Sequence, residues 1–251
     1  MSYQDNHDTV TPSLVVSEIF GPTVSGEGAT LGRRCGFLRL MGCNLHCTWC
    51  DTAYTWDARR FDLVAQGHRM TWPVIVEQLI AMNVDLVIVS GGEPLLHQDQ
   101  RAWELVLRSL TGAGIGVEVE TNGTKIPNQA SRDFVRRFTV SPKLAHAGDP
   151  ESARIVPEAI GAFRLIMDQP GEWKDRVIFK FVCAAPEHVA EVQRWVKIFQ
   201  IRPECVWIMP EGVDTKTLCD HLAVITDPAV AAGFNVTTRL HIHVWGDERG
   251  H

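Results

Sequence analysis

An α/β protein built on a parallel sheet is predicted by three observations in this 251-residue chain. Short apolar, β-branched runs recur along it, amphipathic stretches separate several of them, and the residues that follow the runs are rich in glycine, proline and polar groups. Strands alternating with helices are the pattern of βαβ units with right-handed crossovers, and such folds gather their chemistry at the C-terminal strand ends.

Taken in order, the first 13 residues are polar and expected to be mobile, and one domain is expected over 14–251, a length sufficient for one well-buried core. Strands are expected at 14–20, 37–41, 86–89, 116–119, 138–140, 177–182, 206–209 and 239–244 from their apolar content and length. Helices are expected at 71–82, 99–111, 186–199 and 214–223. Thr71 serves as N-cap of the first with Pro73 close behind, Asp99 caps the second, and Pro186 opens the third at its first turn. On a final strand, His241 and His243 would share a face.

The net charge of -6 excludes the basic patch that draws a protein onto nucleic acid or an anionic membrane, so small molecules are the expected partners. No apolar run reaches the roughly 18 residues of a membrane span, and the polar start lacks a signal-peptide layout, so a cytoplasmic protein is expected. Seven cysteines are an odd number, with three in one loop, which fits metal binding in a reducing compartment better than disulfides. Cys35, Cys183, Cys205 and Cys219 are given no catalytic role.

The three clustered cysteines, Cys43, Cys47 and Cys50, follow the spacing C-x3-C-x2-C. A structural zinc takes four protein ligands, so a zinc knuckle would need His46, His68 or a distant cysteine to complete it. A cubane iron-sulfur cluster on three thiolates instead leaves one iron open. Beyond an apolar run lies Ser90-Gly91-Gly92-Glu93-Pro94, where two residues without side chains admit a ligand to the backbone and Glu93 can accept from an ammonium. Glu120, at the end of another run, can bind ribose hydroxyls, and Ser141-Pro142-Lys143 offers a hydroxyl, a rigid turn and a cation.

The cysteine spacing, Trp49 before the last cysteine and the Gly-Gly-Glu-Pro segment about 40 residues on resemble the radical S-adenosylmethionine superfamily. The resemblance implies a 4Fe-4S cluster whose open iron is chelated by S-adenosylmethionine, with cleavage to methionine and a 5'-deoxyadenosyl radical. It implies cofactor contacts at Trp49, Gly92, Glu93, Glu120, Ser141, Pro142 and Lys143.

Segment 18–28, the pair Asp51-Thr52 after the cluster loop and Ser141-Pro142-Lys143 together resemble the 7-carboxy-7-deazaguanine synthase family within that superfamily. This implies an incomplete or modified (β/α)6 barrel and a radical ring contraction of 6-carboxy-5,6,7,8-tetrahydropterin to 7-carboxy-7-deazaguanine with loss of ammonia. Implied substrate contacts are Val24, Ser25, Gly26, Glu27, Arg39, Ser90 and His241, with His243 a near rival. Arg39 is placed on the substrate carboxylate and Glu27 on its aminopyrimidine edge. Thr52 is implied to hold Mg2+. A homodimer and a reducing donor such as flavodoxin or ferredoxin are also implied. Two places depart from the family pattern: many relatives have glutamine where Ser25 stands and another near Met209; Ser25 is expected to act through its backbone, and Met209 is assigned no cofactor contact. The rival readings are a glycyl-radical activase, which would call for further cluster cysteines, and a non-enzymatic iron-sulfur redox module, which has no use for Gly91-Gly92-Glu93-Pro94.

Overall fold

A computed structural model describes residues 10–169 and 176–251. The expected mobile segment lies largely outside the described residues, and the first strand begins at Ser13. In chain order the elements are β1 (Ser13–Val24), β2 (Arg34–Leu40), α1 (Leu63–Gln66), β3 (His68–Thr71), α2 (Trp72–Ala81), β4 (Leu86–Gly91), α3 (Arg101–Gly112), β5 (Gly116–Thr121) and α4 (Gln129–Phe134). There follow β6 (Val135–Val140), α5 (Glu151–Arg154), α6 (Pro157–Met167), β7 (Val177–Cys183), α7 (Pro186–Phe199), β8 (Val206–Pro210), α8 (Thr215–Ala231), β9 (Asn235–Val236) and α9 (Leu240–Trp245).

The strands form one sheet in the order β3-β1-β2-β4-β5-β6-β7-β8-β9. From β2 to β8 neighbouring strands run parallel, whereas β1 lies antiparallel to both β2 and β3. Six parallel strands with helical crossovers, continued by the two-residue parallel β9, in a sheet whose outer strands β3 and β9 do not pair with each other, make a partial (β/α)6 barrel, open on one side.

Strand alternation sorts the side chains into two layers. Val87 and Val89 of β4, Val117 and Val119 of β5, Phe179 and Phe181 of β7, and Val206 and Ile208 of β8 pack into the main core with the helices. The intervening residues, among them Arg39, Ser90, Glu120, Lys180, Val182 and Met209, face the cavity on the concave side. The parallel register sets Arg39 opposite Ser90, and Ser90 Oγ donates to Glu120 Oε2 on the next strand at 2.7 Å. A polar row therefore crosses the C-terminal ends of the strands.

Several local expectations need correction. The run 239–244 is helix α9, not a strand: at six residues its apolar-polar alternation fits either period, and Gly246, at φ 69°, closes the helix by donating to Ile242 O at 3.0 Å. Thr71 occupies the N-cap of α2, but its hydroxyl makes no capping bond. Asp99 does not cap α3, because the preceding turn continues until Gln100, whose N–H reaches His97 O at 3.0 Å and which becomes the N-cap. Helix α8 runs past 223 through Pro228, since Ile225 and Ala229 extend the buried stripe begun by Leu218. Helix α6 lies outside the expected helices; Ala159, Ile160, Phe163, Ile166 and Met167 form its buried face.

Candidate active site

A cavity of about 410 Å³ opens at the C-terminal strand ends, and its wall carries Cys43, Cys47 and Cys50 together with Arg39, Glu27, Ser90, Glu120, Lys143 and His241. The cysteine loop leaves β2 at Gly42, which takes φ 89°, a left-handed turn that glycine adopts without steric cost. Gly92 lets the loop after β4 close on this turn: a Cβ there would overlap the Gly42 carbonyl, and Glu93 N donates to that carbonyl at 2.8 Å.

The three thiols are free and packed in one small cluster with Leu45, Trp49 and Ala147. Trp56 Nε1 donates to Cys50 Sγ at 3.4 Å, and Leu45 N donates to Cys43 Sγ at 3.5 Å. N–H groups aimed at sulfur stabilise thiolates and tune the potential of a cluster they hold. Burial pushes the Cys43 thiol up to about 12, so metal loading must displace a proton there. Among the described residues no three His, Cys, Asp or Glu side chains are grouped tightly enough for a single ion, and neither His46 nor His68 lines the cavity. The donor set fits a polynuclear cluster on three thiolates at the cavity wall, which Trp49, its buried Nε1 without a partner, also lines.

Most residues expected at the site are brought together: Val24, Ser25, Gly26, Glu27, Arg39, Ser90 and His241 line the cavity, as do Trp49, Thr52, Gly92, Glu120, Ser141 and Lys143. Three expectations change. Glu93 is fully buried and turned away from the cavity; its carboxylate accepts from Asn122 N at 2.6 Å, Thr121 Oγ1 at 2.8 Å and Leu95 N at 3.0 Å. It thus ties the loops after β4 and β5 together, leaving its glycine neighbours to face the ligand space. Pro142 also lies outside the wall and shapes the turn between Ser141 and Lys143, where Lys143 Nζ donates to Ser141 Oγ at 2.9 Å. Ser25 has its N–H bonded to Arg33 O at 2.7 Å, its carbonyl to Gly32 N at 2.8 Å and its hydroxyl to Thr30 at 3.1 Å, so its backbone groups build the loop.

The two histidines separate because residues two apart on a helix point about 200° from one another. His241 faces the cavity, packed where Gly26 has no side chain, while His243 Nε2 lies 2.8 Å from Thr238 Oγ1. Burial lowers His241 from its ordinary value, which keeps the ring neutral.

The structure adds charged residues that the sequence reading left unassigned. Lys180 pairs with Glu27 and lies 3.4 Å from Glu120 Oε1. Arg239 donates to Glu27 Oε1 at 2.9 Å, to Gly212 O at 2.6 Å and to Asp51. Burial alone would raise the Glu27 carboxyl, but Lys180 and Arg239 hold it far below the ordinary carboxylate range. Glu18 and Tyr54 join the wall beside Arg39, and residues 247–251 complete it, with the Arg249 guanidinium 3.6 Å from the centre of the Tyr54 ring. A signal for Lys180 was present: it is the one charged residue in the apolar run 177–183, at a position whose alternation points away from the helices.

Residues 39–139 match the family model described as the radical SAM superfamily. A 7-carboxy-7-deazaguanine synthase of Pyrobaculum aerophilum is 37% identical over 243 residues, covering 96% of this chain and 99% of that protein. The chain belongs to the 7-carboxy-7-deazaguanine synthase family. Synthases of the same name from Hyperthermus butylicus and Bacillus cereus are 33% and 31% identical over 92% and 94% of the chain, and 92% and 98% of their own length. The crystal structure of QueE from Escherichia coli shares the fold, with a TM-score of 0.66 at 20% identity over 91% of this chain and 95% of that one. Radical SAM membership implies a 4Fe-4S cluster and S-adenosylmethionine, and the chain is an enzyme of this type.

Proposed function

We infer that this enzyme converts 6-carboxy-5,6,7,8-tetrahydropterin to 7-carboxy-7-deazaguanine and ammonia, a step of 7-deazapurine biosynthesis. The observation that carries this reading is a single cavity that joins three free thiols to a half-buried arginine and a doubly paired carboxylate. Cys43, Cys47 and Cys50 would hold the cluster, which with S-adenosylmethionine supplies a carbon-centred radical able to take one hydrogen atom.

The chain's own residues bind and orient. Arg39 keeps its terminal guanidinium nitrogens for the substrate carboxylate, because Nε is committed to Glu18 at 2.6 Å. Glu27, held ionised, accepts from the two donors of the aminopyrimidine edge, and neutral His241 and Ser90 complete the substrate side. Trp49, Gly92, Glu120, Ser141 and Lys143 face the cofactor, with Lys143 Nζ set 5.6 Å from the centre of the Trp49 ring. Thr52, whose hydroxyl lies 3.6 Å from Cys50 Sγ, offers one neutral oxygen for Mg2+, an ion that keeps most of its waters and readily shares a substrate carboxylate. A single described domain over 14–251, a homodimeric state, a cytoplasmic location and a flavodoxin or ferredoxin as electron donor belong to the same proposal. No helix among the described residues is long and apolar enough to cross a membrane.

The test is anaerobic incubation of the reconstituted, reduced protein with S-adenosylmethionine, Mg2+ and 6-carboxytetrahydropterin, followed by mass spectrometry. Formation of 7-carboxy-7-deazaguanine in excess over consumed S-adenosylmethionine is expected. Formation of only 5'-deoxyadenosine and methionine would mean a different substrate.

A further inference from the structure

One side chain touches both a carboxylate proposed for the substrate and one proposed for the cofactor. Lys180 sits in the middle of β7, on the concave face between Ile178 and Val182, and is buried. Its Nζ pairs with Glu27 Oε2 and lies 3.4 Å from Glu120 Oε1. The remaining oxygens are fixed from outside this bridge: Arg239 Nε donates to Glu27 Oε1 at 2.9 Å, and Ser90 Oγ donates to Glu120 Oε2 at 2.7 Å. Two carboxylates that would repel one another in a buried wall are thus held apart at a set spacing by one ammonium, whose three donors can serve both.

We propose that Lys180 is a positioning residue that couples Glu27, the side-chain carboxylate set on the substrate's aminopyrimidine edge, to Glu120, the side-chain carboxylate set on the cofactor, and so fixes how the two ligands face one another. This rests on the function proposed above. Hydrogen transfer between bound molecules depends steeply on their separation, so a bridge between the two binding sets matters more to productive transfer than to either affinity alone. Ligand contact at one carboxylate shifts the shared ammonium, and the other carboxylate responds. Coupling of this kind is reciprocal between the two ligands.

The experiment compares the full reconstituted chain with Lys180→Met and Lys180→Arg. Affinity for S-adenosylhomocysteine is measured by calorimetry with and without saturating 6-carboxypterin, alongside iron content, thermal stability and the ratio of 5'-deoxyadenosine to deazaguanine product in turnover. In the wild type, 6-carboxypterin is expected to change the S-adenosylhomocysteine affinity by about fivefold or more. Lys180→Met should lose that linkage and raise the 5'-deoxyadenosine ratio about tenfold, since the radical forms but transfers poorly. A purely structural role would lower stability and cluster content while leaving linkage and ratio at their wild-type values, and that result would overturn the proposal. If Lys180→Met does not retain its cluster, Lys180→Arg carries the test: a raised ratio at full iron content supports coupling, and an unchanged ratio overturns it. Absence of linkage in the wild type would also overturn it. Intact linkage without any 7-carboxy-7-deazaguanine would refute the assigned reaction alone.

Discussion

Arg39 Nε donates to Glu18 Oε1 at 2.6 Å, and the two residues stand opposite each other in the antiparallel pairing of β1 with β2. The same carboxylate oxygen accepts from Tyr54 Oη at 2.9 Å. Cross-strand pairing therefore aims the arginine, and the tyrosine, packed beneath Arg249, locks its partner.

From this arrangement, Arg39→Gln should weaken substrate binding about 100-fold, seen in KM, because a half-buried charge-assisted contact is lost and Glu18 is left without its cation. Glu18→Gln leaves the guanidinium in place but loosens its aim, and a loss of about tenfold in kcat/KM is expected. Steady-state kinetics on both variants check the order of these effects. Equal losses would mean that Arg39 acts only as a partner of Glu18.

Gly26→Ala should displace His241 without unfolding the protein. The new Cβ would overlap the imidazole, which is the movable end of a side chain, while the bond from Leu240 N to Gly26 O at 2.8 Å can persist. A fall in kcat/KM of about tenfold or more is expected with an unchanged melting temperature. Thermal denaturation and kinetics on the same sample test it.

Glu93→Ala should act first on stability. It strips the acceptor from Asn122 N, Leu95 N and Thr121 Oγ1, all buried, and each unsatisfied buried donor costs about 1–3 kcal/mol. A loss of about 3 kcal/mol or more in urea unfolding, with poorer iron retention, is expected; wild-type stability with lost cofactor affinity would instead place the carboxylate on the ligand.

Acid should weaken the fold through Glu27 and Asp51. Burial opposes ionisation of both, yet Lys180 and Arg239 at Glu27, and Arg239 at Asp51, hold their folded-state values below the ordinary 4.5 and 3.8. A depressed carboxylate stabilises the fold fully above its unfolded value, and this contribution is lost as the pH falls below it toward the folded value. Urea midpoints should begin to fall below about pH 6.5, where His146 and His241, held below the ordinary 6.5 by burial, must take up a proton, and should fall further below about 4.5, with that second decline shallower in Glu27→Gln. Identical slopes would remove Glu27 from the acid response.

The sequence by itself determined the three-cysteine loop, the run of parallel strands and the family. These are local: C-x3-C-x2-C, Gly91-Gly92-Glu93-Pro94 and the apolar runs each carry their meaning within a few residues, and α7 matched its expected bounds because Pro186 marks its first turn. What only the tertiary structure decided was the partnership of charges. Lys180 lies 153 residues from Glu27, and Arg239 lies 188 from Asp51, so no local pattern links them; barrel curvature and strand register do. The direction of the Glu93 carboxylate was likewise out of reach, since it depends on three donors, two of them from the end of β5 and the loop after it. The 239–244 segment was misread for the same reason: six alternating residues fit either period, and the anchoring of Arg239 by Glu27, Asp51 and the Gly212 carbonyl, with Leu240 N bound to Gly26 O, fixes the start of that helix.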